Sequence, residues 1–196
     1  MNQTIDYYNQ NAEVYYRSTV DADFERLRKE FVSYLPEHAR IIDIGCGSGR
    51  DVKAFCDMGY EAVGLDASEE MARVAREQLG IEVLIGDMTE WIAEELYDGI
   101  WCCASLLHLH EAEAEQFLSN LKTNLKPGGV IFLSVKEGIK TGYDEKGRYM
   151  RNYTEEELKR KLEACEISIL CLGKTRDLLG RDEFSWLNVM GEYRKR

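Results

Sequence analysis

With 196 residues, 44% of them apolar and 31% charged, the chain is long enough for one domain with a full hydrophobic core and short for two. The composition excludes a disordered chain, and the net charge of −11 opposes broad docking on nucleic acid, which needs a basic surface to release counterions. No apolar run approaches the roughly 20 residues that cross a bilayer, and the opening Met-Asn-Gln-Thr-Ile-Asp lacks the basic and apolar regions of a secretory leader, so a cytoplasmic protein without membrane attachment is expected.

Residues 1–22 are polar and dense in tyrosine, with Tyr7, Tyr8, Tyr15 and Tyr16. Phe24, Leu27, Phe31 and Leu35 recur at helical spacing, and Pro36 stops that amphipathic helix, so 1–36 read as covering helices. Ile41, Ile42 and Ile44 form a β-branched run that reads as a buried strand over about 40–44. It runs directly into Gly45, Gly47 and Gly49, a tight turn with no Cβ between backbone and ligand. Residues 50–58 read as a helix ended by Gly59, and 61–65 as a second strand ending at Asp66. Ser68 reads as an N-cap with Glu69 and Glu70 in the first turn of a helix to Leu79, ended by Gly80.

A third strand is expected over 81–85, leading into Gly86-Asp87-Met88, then a short helix over 89–96. Residues 99–104 read as the fourth strand, 111–125 as an amphipathic helix, and 130–135 as the fifth strand after the turn Pro127-Gly128-Gly129. Strands alternating with helices at this spacing imply a parallel sheet covered on both faces. After residue 136 the pattern breaks. Residues 136–152 are polar and glycine-containing, Thr154 caps a further helix, and strands are expected over 167–172 and 184–189. The last two are joined without a helix and must pair antiparallel. The expectation is a single α/β domain spanning 1–196, a three-layer Rossmann-like sandwich around a mostly parallel seven-stranded sheet with an antiparallel C-terminal hairpin strand. Residues 37–135 form its cofactor-binding half and 136–196 its substrate-selecting part.

The charge is unevenly placed. Residues 1–135 carry 11 Lys/Arg against 24 Asp/Glu, and residues 136–196 carry 14 against 12. A small anionic substrate is therefore compatible with the C-terminal third. The six cysteines form no CxxC pair and read as free thiols in a reducing compartment. His108 and His110 lie two apart without a clear third ligand, so no metal site is expected.

The glycine turn points to a nucleotide-type cofactor, but not to a dinucleotide. The fingerprint Gly-x-Gly-x-x-Gly would place its third glycine at 50, where Arg50 stands, and Asp43 before the glycines is foreign to it. A cofactor lacking phosphates but carrying an ammonium group would welcome that carboxylate. Asp43-x-Gly45-x-Gly47-x-Gly49 resembles the first motif of class I S-adenosylmethionine-dependent methyltransferases. Asp66 resembles the family's ribose-binding acid, and Gly86-Asp87-Met88 the loop that meets the adenine. Tyr97-Asp98-Gly99-Ile100 to His108 resembles the fourth-strand segment beside the methyl donor, and Leu125-Lys126-Pro127-Gly128-Gly129 the turn before the fifth strand. Tyr7-Tyr8 with Ala12 and Tyr15 resembles the N-terminal cover of small-molecule members.

This resemblance implies S-adenosyl-L-methionine as methyl donor and S-adenosyl-L-homocysteine as product. It implies a donor-contacting set of Tyr15, Asp43, Gly45, Cys46, Gly47, Gly49, Asp66, Ala67, Ser68, Met71, Asp87, Met88, Ala104 and Ser105. His108, at the end of the fourth strand, is the candidate base or a pocket-wall histidine. Tyr7, His108, Arg148, Arg181 and Trp186 are the candidate acceptor-binding residues, since arginines suit an anionic group. The expected activity is methyl transfer to a small anionic or hydroxyl-bearing metabolite. The alternatives are an RNA or protein methyltransferase, a catalytically silent donor-binding module, and a nicotinamide dehydrogenase.

Overall fold

The computed structural model of the chain describes residues 2–180 and 185–195. Its strands are β1 (Arg40–Ile44), β2 (Glu61–Asp66), β3 (Val83–Ile85), β4 (Tyr97–Cys103), β5 (Leu125–Lys136), β6 (Thr141–Tyr143), β7 (Tyr149–Arg151), β8 (Ile167–Arg176) and β9 (Ser185–Tyr193). The helices are α1 (Gln3–Thr19), α2 (Glu25–Val32), α3 (Arg50–Asp57), α4 (Glu69–Leu79), α5 (Glu111–Asn124) and α6 (Glu155–Ala164). Seven strands form the central sheet in the order β3-β2-β1-β4-β5-β9-β8, while β6 and β7 pair separately. β1 to β5 run parallel, and β9 runs antiparallel to both β5 and β8. The Rossmann-like α/β expectation holds, antiparallel strand included.

Alternation along the strands splits the core between the two faces of the sheet. Ile42 and Ile44 of β1, Ile100 and Cys102 of β4, and Leu133 of β5 pack with Phe117 and Leu121 of α5 and Leu158 of α6. Ile41, Trp101 and Phe132 point the other way, onto Leu27 and Phe31 of α2 and Phe55 of α3. There Trp101 stacks on Phe132 with ring centroids 3.8 Å apart, and Phe31 and Phe55 each meet Trp101 at 5.3 Å. Offset and edge contacts of this kind add to area burial and lock α2 and α3 under the sheet.

The expected caps form. Ser68 accepts the Met71 amide and Thr154 the Glu157 amide, and Gly80 closes α4 in the left-handed conformation. The helix expected over 89–96 does not form. Asp87 captures the Thr89 amide, and Asn124 and Asn120 of α5 bond to Ala93, Trp91 and Thr89, so side chains satisfy that backbone in place of a helical ladder. β3 starts at Val83, two residues later than expected. The segment read as a polar loop contains the β6–β7 hairpin, turned at Asp144 to Gly147 with Gly147 at φ 77°. That hairpin rests on α1, where the Tyr149 amide donates to the Thr4 hydroxyl at 2.9 Å.

Candidate active site

The carboxyl ends of β1, β2 and β4 open into a cleft of about 860 Å³, its mouth included, with α1 as cover. Clefts of this kind form where strand order reverses in a parallel sheet, here between β1 and β4. Gly45, Gly47 and Gly49 all adopt left-handed backbone, at φ 72°, 55° and 80°. A Cβ on Gly45 would fall 2.2 Å from the Ser105 Oγ, so the loops after β1 and β4 touch there. Ser105 donates its hydroxyl to the Gly45 carbonyl at 2.9 Å. The Gly45 and Cys46 amides donate to the Leu65 carbonyl of β2 at 2.7 and 3.1 Å. These bonds hold a cradle that presents bare backbone at Gly45 and Gly47 to the cleft.

Asp66 ties the cradle to β2. One oxygen accepts the Gly47 amide at 2.7 Å and the other the Ser68 amide at 2.9 Å. Each oxygen keeps a second acceptor site for a ligand hydroxyl. Burial pushes the Asp66 carboxyl up, opposed by the Ser68, Gly47 and Ala67 amides. Ala67 and Met71 line the cleft beside it, and Gly86, Asp87, Met88 and Thr89 line its far end. Asp43 lies beneath the cradle in an adjoining recess with Cys46 and Asp51. Burial, then repulsion from Asp51, raises the Asp43 carboxyl. Burial also acts on Asp51, but Arg50 and Arg28 outweigh it and hold that carboxyl low.

At the mouth, His108 Nδ1 lies 2.7 Å from the Tyr149 carbonyl. A carbonyl only accepts, so Nδ1 carries the proton and Nε2 accepts from the Tyr8 hydroxyl at 2.9 Å. Tyr8 in turn accepts from Arg148 Nη1 at 3.3 Å, and Arg148 grips Asp144 at 3.0 and 2.7 Å. Burial, the largest influence, brings His108 down to about 4, so the ring is neutral near pH 7 with both nitrogens engaged.

Of the sequence candidates, Tyr15, Gly45, Gly47, Asp66, Ala67, Met71, Asp87, Met88, Ala104, Ser105 and His108 line this one cleft. Asp43 and Cys46 sit in the recess below. Gly49 caps α3 and packs under Ala75 and Ile81, off the cleft. Ser68 is also off it, because its hydroxyl accepts the Met71 amide and donates to Asn9. Tyr7 does not line the cleft; it lies under the Arg148 guanidinium, 5.1 Å from its ring centroid, and Tyr8 takes its place. Arg148 stands behind Tyr8 rather than in the cleft. Trp186 lines a second cavity, and Arg181 lies outside the described residues. Tyr8, expected only as part of the cover, is the tyrosine that helix spacing marks, since Tyr8, Ala12 and Tyr15 fall on one helix face.

The charge of the cleft discriminates among ligands. Asp66, Asp87 and Glu113 line it, and among the described residues no Lys or Arg does. A pyrophosphate would meet no cation there. A nucleoside with two vicinal hydroxyls and a short ammonium-bearing chain matches the Asp66 acceptors, the bare cradle and the acid beneath it. Among the described residues no group of three or more His, Cys, Asp or Glu could hold a metal ion, and no helix is long and apolar enough to cross a membrane.

Residues 41–129 match the model of a methyltransferase domain. YqeM of Bacillus subtilis is 31% identical over 140 residues, covering 66% of this chain and 55% of that protein. A ubiquinone biosynthesis O-methyltransferase of Mesorhizobium japonicum is 32% identical over 102 residues, covering 50% and 41%. The chain thus spans about half the length of these relatives. In fold it is similar to the 1,6-didemethyltoxoflavin-N1-methyltransferase of Burkholderia thailandensis, solved with S-adenosylhomocysteine, at TM-score 0.78 and 20% identity over 97% of this chain and 85% of that one. The glycopeptide N-methyltransferase MtfA gives 0.72 at 16% identity, over 88% and 91%. Motifs and domain match agree that residues 41–129 carry a methyltransferase domain, and the fold around it is the one found in S-adenosylmethionine-dependent methyltransferases.

Proposed function

We propose that the chain transfers a methyl group from S-adenosyl-L-methionine to a small-molecule acceptor and releases S-adenosyl-L-homocysteine. The observation that carries this is the cleft, free of Lys and Arg among the described residues, in which a glycine cradle, Asp66 and Asp87 face one another. When bound, the donor supplies a methyl group already activated on a sulfonium. Asp66 accepts the ribose hydroxyls, Asp87 and Met88 flank the adenine, and Gly45 to Gly47 hold the methionine end above Asp43. Tyr8 and Tyr15, whose rings meet edge to face at 5.2 Å, close the cover. An aromatic face suits the sulfonium. Alignment is the protein's main contribution and can supply about 7–11 kcal/mol of the barrier.

His108 acts as a positioning residue for Tyr8 in this account. Both its nitrogens are bonded, and a group near 4 is a weak base at neutral pH. An acceptor atom already anionic at pH 7 needs no base, which favours an acidic acceptor over an alcohol or amine. Ubiquinone O-methylation and toxoflavin N-methylation, named for two similar proteins, support a small-molecule acceptor over a macromolecule. The acidic body points the same way. Calorimetric titration of S-adenosylmethionine, S-adenosylhomocysteine and NAD, followed by a radiolabelled methyl screen of small acids, tests the reading. Saturable binding of the first two and label transfer are expected. NAD binding without donor binding would overturn it, and donor binding without transfer would favour a silent module.

A further inference from the structure

Across the wall formed by Tyr15, Cys103 and Ala104 lies a second cavity of about 520 Å³, its mouth included, on the β5-β9-β8 side of the sheet edge. Ala104 carries a left-handed backbone, φ 59°, at the end of β4, and its amide donates to the Ser134 carbonyl at 2.9 Å. A residue other than glycine in that conformation stores strain, and strain of this kind collects at functional sites. Here it sets a methyl-sized side chain between the two cavities.

The cavity's walls are aromatic and its floor is polar. Phe24 and Trp186 line it with Leu178 and Leu179. On the floor, Ser134 and Asn188 are 2% and 5% exposed. The Ser134 hydroxyl lies 2.9 Å from the Asn188 carboxamide oxygen, and the Asn188 nitrogen donates to the Thr175 hydroxyl at 2.9 Å. With its oxygen accepting from Asn188, Thr175 has its own hydroxyl proton to offer a ligand.

Among the described residues, the charges facing the cavity are Arg50, Arg176 and Asp177. Arg50 is engaged with Asp51, the Thr19 carbonyl and the Phe24 ring. Asp177 accepts the Leu179 amide at 2.7 Å and the Trp186 indole N–H at 3.3 Å. The Lys136 ammonium stands 5.9 Å from the Trp186 ring centroid. Arg176 is exposed at the end of β8. Among the described residues no histidine lines the cavity.

We infer that this cavity is the acceptor subsite and takes a planar aromatic acid, its ring against Phe24 and Trp186 and its charge drawn by Arg176. The inference rests on the proposed methyl transfer for its chemistry, and on the cavity alone for its ligand class. The acid's ionised atom forms the bond to the methyl carbon while the carbon–sulfur bond breaks, its electron pair returning to sulfur. No proton is released, which accords with a cavity that holds no histidine. Aromatic walls select for a flat ring, and a guanidinium selects for a carboxylate or phenolate over its neutral isostere.

The test is equilibrium binding of 1-naphthoate and 1-naphthamide to the full chain, with and without S-adenosylhomocysteine, read by tryptophan fluorescence. Naphthoate is expected to bind roughly tenfold tighter than the amide, with a signal that Trp186→Phe abolishes. Arg176→Gln is expected to remove most of that preference while leaving affinity for the amide unchanged. S-adenosylhomocysteine affinity, measured by calorimetry on each variant, reports an intact fold. Equal affinity for acid and amide, or a preference that survives Arg176→Gln, would overturn the inference. Because binding is also read without the product, failure of the donor site shows separately as loss of the calorimetric signal.

Discussion

The two sides of the sheet edge shape their cavities by different means. On the β3-β2-β1-β4 side, backbone does the shaping, with the Gly45–Gly49 turn closed by amides on Leu65 and Asp66. On the β5-β9-β8 side, side chains do it, and they come from distant segments: Phe24 before α2, Ser134 in β5, Arg176 in β8 and Trp186 in β9. Backbone recognition tolerates few residue types at each position, so it leaves a local trace in the sequence. Side-chain recognition leaves almost none until the chain is folded.

The sharpest way to break this contrast is Asp66→Ala. The variant removes the acceptor of the Gly47 and Ser68 amides as well as the ribose partner, so donor affinity should fall by at least about 100-fold in a calorimetric titration. Asp66→Asn should fall less, since one carbonyl oxygen remains. Next is Gly45→Ala, which places a Cβ 2.2 Å from the Ser105 Oγ at φ 72°. Urea unfolding should report a loss of about 2–4 kcal/mol. Gly59→Ala, at φ 90° but with nothing within 4 Å, should cost about 1–2 kcal/mol.

His108 provides a pH test of the mouth. Its folded value of about 4 lies below the ordinary 6.5, so the unfolded chain takes up the proton first. Stability should therefore fall, relative to the His108→Gln variant, as pH drops from about 6.5 towards 4. The difference should reach at most about 3 kcal/mol. A flat difference across that range would mean His108 is not buried as a neutral ring. The smallest effect sharpens the separation of the two sides: Trp186→Ala should leave donor affinity within about twofold of the parent, by the same titration, because Trp186 lines the second cavity and not the donor cleft.

The uneven legibility follows from the same physics. The convergence of Asp66, Gly45 and Gly47 on one cleft is legible in the sequence because a strand running into alternate glycines turns tightly at its tip. The helix expected over 89–96 failed because Asn120 and Asn124, some thirty residues away, supply its hydrogen bonds. Tyr8 rather than Tyr7 faces the cleft because it shares the helix face of Ala12 and Tyr15. Arg148 had the charge of an acceptor ligand, yet Asp144 four residues earlier claims it through a hairpin turn the sequence did not announce.

One donor is expected to span the cleft from Asp87 to Ala104, with its reactive end at the wall of the second cavity. A crystal structure with S-adenosylhomocysteine and 1-naphthoate tests it most directly. Adenine is expected beside Asp87 and Met88, the ribose hydroxyls on Asp66, the sulfur at the Ala104–Ser105 turn, and the naphthoate ring between Phe24 and Trp186. Product bound in the reverse sense, or naphthoate seated at the Tyr8–His108 mouth, would contradict it.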